Sequence, residues 1–215
     1  MKTNKTALLF VVLFCTSLLA QTKPDSLMEK LLVGNARYVN SKMIHPDISE
    51  ARRKELAKEQ HPFAVIVSCS DSRVPPELIF DQGLGDLFVI RTAGEVVDDI
   101  ALASIEYAVE HLDVKLVVVM GHQRCGAVDA AVKGGKLPPH LNALVDAIMP
   151  AVKKAKKEKG DLLDNAVREN VNMIVDKLKH SKPILHEFVE EKDLHVVGAY
   201  YSLSDGKVTL LPKKN

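Results

Sequence analysis

The sequence predicts an α/β fold: a mostly parallel central sheet with an antiparallel edge strand, flanked by helices. Three observations predict it. First, residues 63–67, 87–90 and 116–120 are short runs rich in Val, Ile and Leu with no polar alternation, which is how strands buried on both faces read. Second, helical segments separate these runs, and parallel strands need such crossovers. Third, two apolar segments near the end flank Asp205-Gly206, a pair that favours a hairpin turn and so an antiparallel edge.

Taken in order, residues 25–39 read as a helix, capped by Asp25 or Ser26, with Leu27, Leu31, Val33 and Tyr38 as a partial apolar stripe. Residues 49–60 read as a second, charged helix, ended by His61-Pro62 because the residue before proline avoids the helical region. The first strand is 63–69. A loop follows, and Pro75-Pro76-Glu77 can start a short helix that ends near Gly83. Residues 86–91 form a second strand and Thr92-Ala93-Gly94 a turn. Asp98 or Asp99 caps a helix to His111, with Ile100, Ala103, Ile105, Tyr107, Ala108 and Leu112 as its apolar face. The third strand is 115–120. Helices are expected over 127–132, over 141–157 with a kink or break at Pro150, over 161–180 and over 183–191. Residues 194–203 and 207–211 form the closing hairpin around a two-residue turn.

The chain has 215 residues and a formal net charge of +1, enough for one domain with a real core. Near-zero charge and the absence of Trp argue against nucleic acid as a partner. The lysines within 153–157 fit a solvated helix end, where cations suit the helix dipole. At the N-terminus, Lys2 and Lys5 precede an apolar run over 7–20. That run is shorter than the roughly 20 apolar residues a bilayer span needs. With the small Ala20 at its end it reads as a secretory signal, the alternative being an uncleaved anchor. Phe14 before Cys15 is too bulky for a lipoprotein cleavage site. The expectation is residues 1–20 as signal peptide, cleavage between Ala20 and Gln21, residues 21–215 as one domain, and a periplasmic or secreted product with no membrane association after cleavage.

The chemistry concentrates at two strand ends. Cys69-Ser70-Asp71-Ser72-Arg73 follows the first strand and Gly121-His122-Gln123-Arg124-Cys125 follows the third. In an open α/β sheet, ligands bind at the carboxyl ends of strands. Thiolate, imidazole and carboxylate are zinc ligands, so the pattern predicts one zinc ion held by Cys69, Asp71, His122 and Cys125. Each residue alone has a plainer reading: a buried inert thiol, a turn cap, a hydrogen-bonded turn histidine. A disulfide between Cys69 and Cys125 also competes, because an exported protein meets oxidising conditions.

These residues also carry a resemblance. Cys69-Ser-Asp-Ser-Arg-Val-Pro-Pro resembles the first zinc motif of the β-class carbonic anhydrases, and Gly121-His122-Gln-Arg-Cys125-Gly-Ala the second. Residues 86–94, 104–112 and 198–208 resemble the segment between the motifs, the helix before the second, and the closing hairpin. The resemblance implies reversible hydration of carbon dioxide to bicarbonate and a proton by hydroxide on zinc, one ion per subunit, in a homodimer or homotetramer. It implies Cys69, His122 and Cys125 as permanent ligands. Asp71 either pairs with Arg73, leaving the fourth position to water, or binds the metal itself and idles the site. It implies Gln60 as a hydrogen-bond donor to substrate, and Phe88, Ala93 and Tyr107 as an apolar carbon dioxide pocket built partly across a dimer interface. Relatives that lock the closed form with bicarbonate use a Trp where this chain has Ile66, so no lock is expected; Arg91 is then structural, paired with a nearby acid. Two alternatives keep the fold: a hydrolase of carbon disulfide or carbonyl sulfide, and a catalytically silent zinc protein.

Overall fold

The computed structural model describes residues 24–212, so the expected signal segment, with Cys15 and Ala20, lies outside the described residues. Five strands form one sheet in the order β2-β1-β3-β4-β5: β1 Ala64–Cys69, β2 Leu87–Thr92, β3 Leu116–His122, β4 His195–Tyr201 and β5 Val208–Leu210. The first four are mutually parallel where they pair, and β5 runs antiparallel to β4. The expected fold class is the observed one.

Every residue of β1 and β3 is buried, because each strand feeds two cores. Ala64, Ile66, Leu116, Val118 and Met120 face one core; Val65, Val67, Val117 and Val119 face the other. Helices α1 Pro24–Val39, α5 Gly126–Lys133 and α6 Pro139–Ala155 contribute to the first, and α4 Asp99–His111 and α8 Ile184–Glu191 to the second. Burial on both faces removes the in-out alternation a half-exposed strand would show. The long helix α7, Leu162–Lys179, joins both cores: Ala166 and Val167 enter the first, Val171, Ile174 and Leu178 the second. It lies so close to β3 that Val171 Cγ2 stands 2.6 Å from where a β-carbon on Gly121 would be. Any side chain at Gly121 would lift α7 from the strand that ends in His122.

The remaining helices, α2 Glu50–Leu56 and α3 Pro76–Ile79, are shorter than the sequence suggested. Two further expectations need correction. Pro150 does not interrupt α6, which runs through it. The proline is exposed, and Val145, Ile148, Ala151, Val152 and Ala155 bury both halves of the helix; core packing outweighs one lost backbone bond. The β4–β5 turn is longer than two residues. Tyr201 pairs with Val208, the Ser202 N–H donates to the Lys207 carbonyl, and Gly206 closes the loop at φ 74°.

Asp81 ties α1 to the rest. Its buried carboxylate accepts from Arg37 Nε at 2.5 Å and from the Ile44 and His45 N–H groups at 3.1 and 3.0 Å. Burial alone would raise its pKa; Arg37 and the two backbone donors outweigh that and hold it below the usual carboxylate value. Asp81→Asn is therefore expected to cost roughly 2–4 kcal/mol. The sign with pH follows. A depressed carboxylate contributes stability above the unfolded pKa of about 3.9 and loses it as pH falls through the lower folded value. Urea melts of the two proteins should differ at pH 7 and converge toward pH 2. Equal stability at pH 7 would contradict this assignment.

Candidate metal centre

Cys69 is the last residue of β1 and His122 the last of β3. The two strands are parallel neighbours, so both residues emerge at the same edge of the sheet. Cys125 follows a tight turn in which Arg124 takes the left-handed φ of 55°, and it caps the N-terminus of α5. A helix N-terminus favours a thiolate. The ligand atoms of Cys69, His122 and Cys125 lie within 4.8 Å of one another, and all three residues are buried.

The geometry chooses between metal and disulfide. The two sulfurs are 3.9 Å apart and the cysteines are free. A disulfide needs about 2.05 Å. Two sulfurs each about 2.3 Å from one tetrahedral ion stand about 3.8 Å apart. The histidine agrees. Its Nδ1 lies 3.0 Å from the Gln123 carbonyl, which can only accept, so Nδ1 carries the proton. Nε2 then holds a lone pair, and it is buried with no hydrogen-bond partner. A backbone carbonyl that fixes the tautomer of a ligating imidazole is a recurrent support in metal sites. The charge also balances: two thiolates and a neutral imidazole around a dication sum to zero, which lowers the cost of burial.

The electrostatics around the sulfurs favour thiolate at Cys69. Its pKa is pulled down to about 4, chiefly by the Cys125 S–H, against the opposing effect of burial, with help from the Gly94 N–H at 3.3 Å. The proton the two share pushes Cys125 up. Binding a cation removes that proton.

Asp71 stands outside the three-residue cluster. Its Oδ1 accepts from the Arg73 N–H and Nε–H, both at 2.9 Å, and its Oδ2 from Nη2–H at 2.7 Å. Arg73 holds the Asp71 carboxyl well below the usual carboxylate range. Oδ2 is still 3.9 Å from His122 Nε2, so the carboxylate borders the space in front of the ligands. Four ligands were expected; the structure gathers three and gives the fourth to Arg73. Arg91 also departs from expectation. It donates to the Cys69 carbonyl at 2.9 Å and to the Asp71 carbonyl at 2.5 Å rather than pairing with an acid. It braces the ligand loop from the neighbouring strand.

The expected substrate residues divide. Ala93 adjoins Gly94 and so lies beside Cys69. Phe88 and Tyr107 are together, ring centroids 6.3 Å apart, but not at this end of the sheet. Phe88 pairs with Val65, whereas Cys69 pairs with Thr92; four residues along a strand is about 13 Å. Gln60 is exposed and precedes β1, a strand whose own length puts its start about 16 Å from Cys69. Within one chain, Gln60, Phe88 and Tyr107 lie away from their own metal ligands.

Two residues near the site escaped sequence reasoning. Glu95 and Asn170 are fully buried and joined by a 2.9 Å hydrogen bond from Asn170 Nδ2 to Glu95 Oε1. Burial pushes the Glu95 carboxyl up to about 8, although the Asn170 hydrogen bond opposes this. The available signal was a polar residue inside the apolar stripe Val167, Val171, Ile174 and Leu178.

Fold and site together define a zinc protein of the α/β class, with ligands at the carboxyl ends of two adjacent parallel strands. Comparison with known proteins narrows the class. The profile of the family described as "Carbonic anhydrase" matches residues 64–208. "Carbonic anhydrase 2" of Mycobacterium tuberculosis is 41% identical over 193 residues, covering 88% of this chain and 93% of that protein. The "Carbonic anhydrase" of Mycolicibacterium smegmatis is 39% identical over 193 residues, covering 88% and 94%. Among solved structures, a tetrameric β-carbonic anhydrase of Sordaria macrospora superposes with a TM-score of 0.70 at 26% identity, covering 86% of this chain and 97% of that one. The Coccomyxa β-carbonic anhydrase in complex with acetazolamide gives 0.68 at 26% identity, covering 89% and 86%. The chain belongs to the carbonic anhydrase family, in its β class, and zinc is the cofactor its cysteine and histidine ligands fit.

Proposed function

We propose that this chain hydrates carbon dioxide reversibly to bicarbonate and a proton, with zinc held by Cys69, His122 and Cys125. One observation carries the proposal: the buried, unpartnered Nε2 of His122 faces two free cysteine sulfurs spaced for a tetrahedral ion. Zinc, when bound, supplies the Lewis acidity that brings the pKa of a water from about 15.7 to roughly 7. The protein's own residues do the rest. Gln123 fixes the imidazole tautomer through its carbonyl. Asp71, ionised and clamped by Arg73, presents a carboxylate that accepts a hydrogen bond from the attacking oxygen and so aims its lone pair at carbon. Burial of the cysteines keeps bulk water from competing for the metal.

The pocket is proposed to be completed by a second copy. Gln60, Phe88 and Tyr107 lie too far from their own ligands to meet the same substrate. They flank an exposed surface: among the described residues β2 has no partner on its outer edge, and on α4 Ile100 is 77% and Tyr107 47% exposed. A homodimer that covers this surface would bring these residues toward the neighbouring centre, and a homotetramer of such dimers is compatible with it. Export through residues 1–20 is part of the same proposal and rests on the basic and apolar pattern at the N-terminus.

One preparation tests all three points. Full-length protein is expressed in a Gram-negative host and recovered from the periplasm. The expected result is one zinc per chain, an N-terminus at Gln21, a mass of at least two chains, and carbon dioxide hydration by stopped flow that rises between pH 6.5 and 9. Zinc-loaded protein that hydrates no carbon dioxide at pH 9 would overturn the reaction. Faster turnover of carbonyl sulfide or carbon disulfide would reassign the substrate.

A further inference from the structure

We propose that Asn170 is a positioning residue for the metal centre, acting through Gly94 on the Cys69 sulfur. The proposal rests on the zinc reading above. The turn after β2, Ala93–Glu95, is unusual: Gly94 and Glu95 are both left-handed, at φ 62° and 45°. A non-glycine residue in that region costs roughly 1–2 kcal/mol, so something must hold the turn. Asn170 does. Its Nδ2 donates to the Gly94 carbonyl at 2.9 Å and to Glu95 Oε1 at 2.9 Å. One amide thus bridges the two left-handed residues, of which Glu95 is the strained one. The Gly94 carbonyl, which can only accept, sets the amide's orientation, because turned over it would place Oδ1 against that oxygen.

The other side of the turn is closed by packing. A β-carbon on Gly94 would stand 2.8 Å from Ile148 Cδ1 and 3.1 Å from Ala127 Cβ. The turn is therefore gripped between α7 on one side and α5 and α6 on the other. What this arrangement aims is the Gly94 N–H, which donates to Cys69 Sγ at 3.3 Å. An N–H directed at a ligating thiolate withdraws charge from the sulfur and fixes its direction. Outer partners of this kind set ligand orientation and basicity. Asn170 touches neither metal nor substrate; its effect passes through the backbone.

The test uses full-length protein carrying Asn170→Ala, Glu95→Gln or Leu178→Ala. Leu178 is a buried residue on the same helix, eight residues on and about 12 Å along the axis. Two quantities are read: the zinc dissociation constant by chelator competition, and the thiolate-to-metal charge-transfer absorption of cobalt-substituted protein. Asn170→Ala should weaken zinc binding about 10–100-fold and shift the cobalt band. Glu95→Gln keeps the Oε1 acceptor and should leave both near wild type. Leu178→Ala should lose stability through its cavity with affinity and band unchanged. Wild-type affinity and spectrum in Asn170→Ala, or an equal shift in Leu178→Ala, would overturn the proposal. Should Asn170→Ala fail to fold, hydrogen exchange at the Gly94 amide of zinc-loaded wild type decides. Protection supports the N–H to sulfur contact, and exchange at the free-peptide rate removes it. Wild-type protein that binds neither zinc nor cobalt would instead sink the zinc reading, a separate outcome in the same assay.

Discussion

Replacing His122 with alanine should strip zinc from the protein and take hydration to the assay background. Zinc sites of this kind bind with about 10–16 kcal/mol at neutral pH. Shared among four donors, the loss of one is worth about 3 kcal/mol, on the order of 100-fold or more in affinity. The loss is larger here than a simple share suggests. His122 is the one nitrogen donor of the cluster, and at its fully buried position alanine leaves nothing that can take the imidazole's place. Alanine leaves two cysteines 3.9 Å apart with less to keep them reduced. The variant should therefore gain a second phenotype, loss of both free thiols on exposure to air, which wild type with zinc bound resists. Circular dichroism checks the fold, metal analysis the zinc, and thiol titration the oxidation. One zinc per chain with wild-type turnover in His122→Ala would remove His122 from the centre.

How much of this was legible in the sequence depends on the distance over which each feature is encoded. The strands were readable because burial on both faces leaves unbroken runs such as 64–67 and 116–120. The site residues were readable because each pair sits within four residues of a strand end, the ligand Cys69 with the neighbouring Asp71 and the ligands His122 and Cys125 together. The strand order β2-β1-β3-β4-β5 brings the two pairs together without any further signal. What was hidden depends on register and approach. Arg91 finds two backbone carbonyls because the β1–β2 register sets Cys69 opposite Thr92, and one sequence does not state a register. Glu95 and Asn170 meet across 75 residues, through a helix whose closeness to the sheet depends on the missing side chain of Gly121. Gln60 shows the reverse case. Its place before β1, at the far end of the strand from Cys69, follows from chain order and strand direction alone.

The second large effect expected is at Asp71 and Arg73, and it differs in kind from the first. Arg73 is 54% exposed at its side chain, so the pair adds little to stability, as exposed ion pairs generally do. Its three hydrogen bonds instead fix where the Asp71 carboxylate points. Asp71→Asn keeps the size and one acceptor oxygen but sets an NH2 group against Arg73, two donors face to face. The carboxamide must rotate or withdraw, and the acceptor for the reacting oxygen goes with it. Proton-accepting and orienting groups contribute about 10²–10⁴-fold, so kcat/KM should fall by on the order of 100-fold or more. Zinc content and melting temperature should stay at wild type, since Asp71 lies outside the ligand cluster. Arg73→Ala frees the carboxylate to swing the short distance toward the metal ligands, where it would compete with substrate water; activity should fall with zinc retained. Arg73→Lys should fall between, because an ammonium cannot reproduce the two-pronged contact made by Nε and Nη2. The stopped-flow rate and the zinc stoichiometry, measured on the same samples, separate these outcomes. Zinc lost along with activity in Asp71→Asn would make Asp71 a ligand rather than an orienting group. Undiminished kcat/KM in both Asp71→Asn and Arg73→Ala would leave the pair with no part in the reaction.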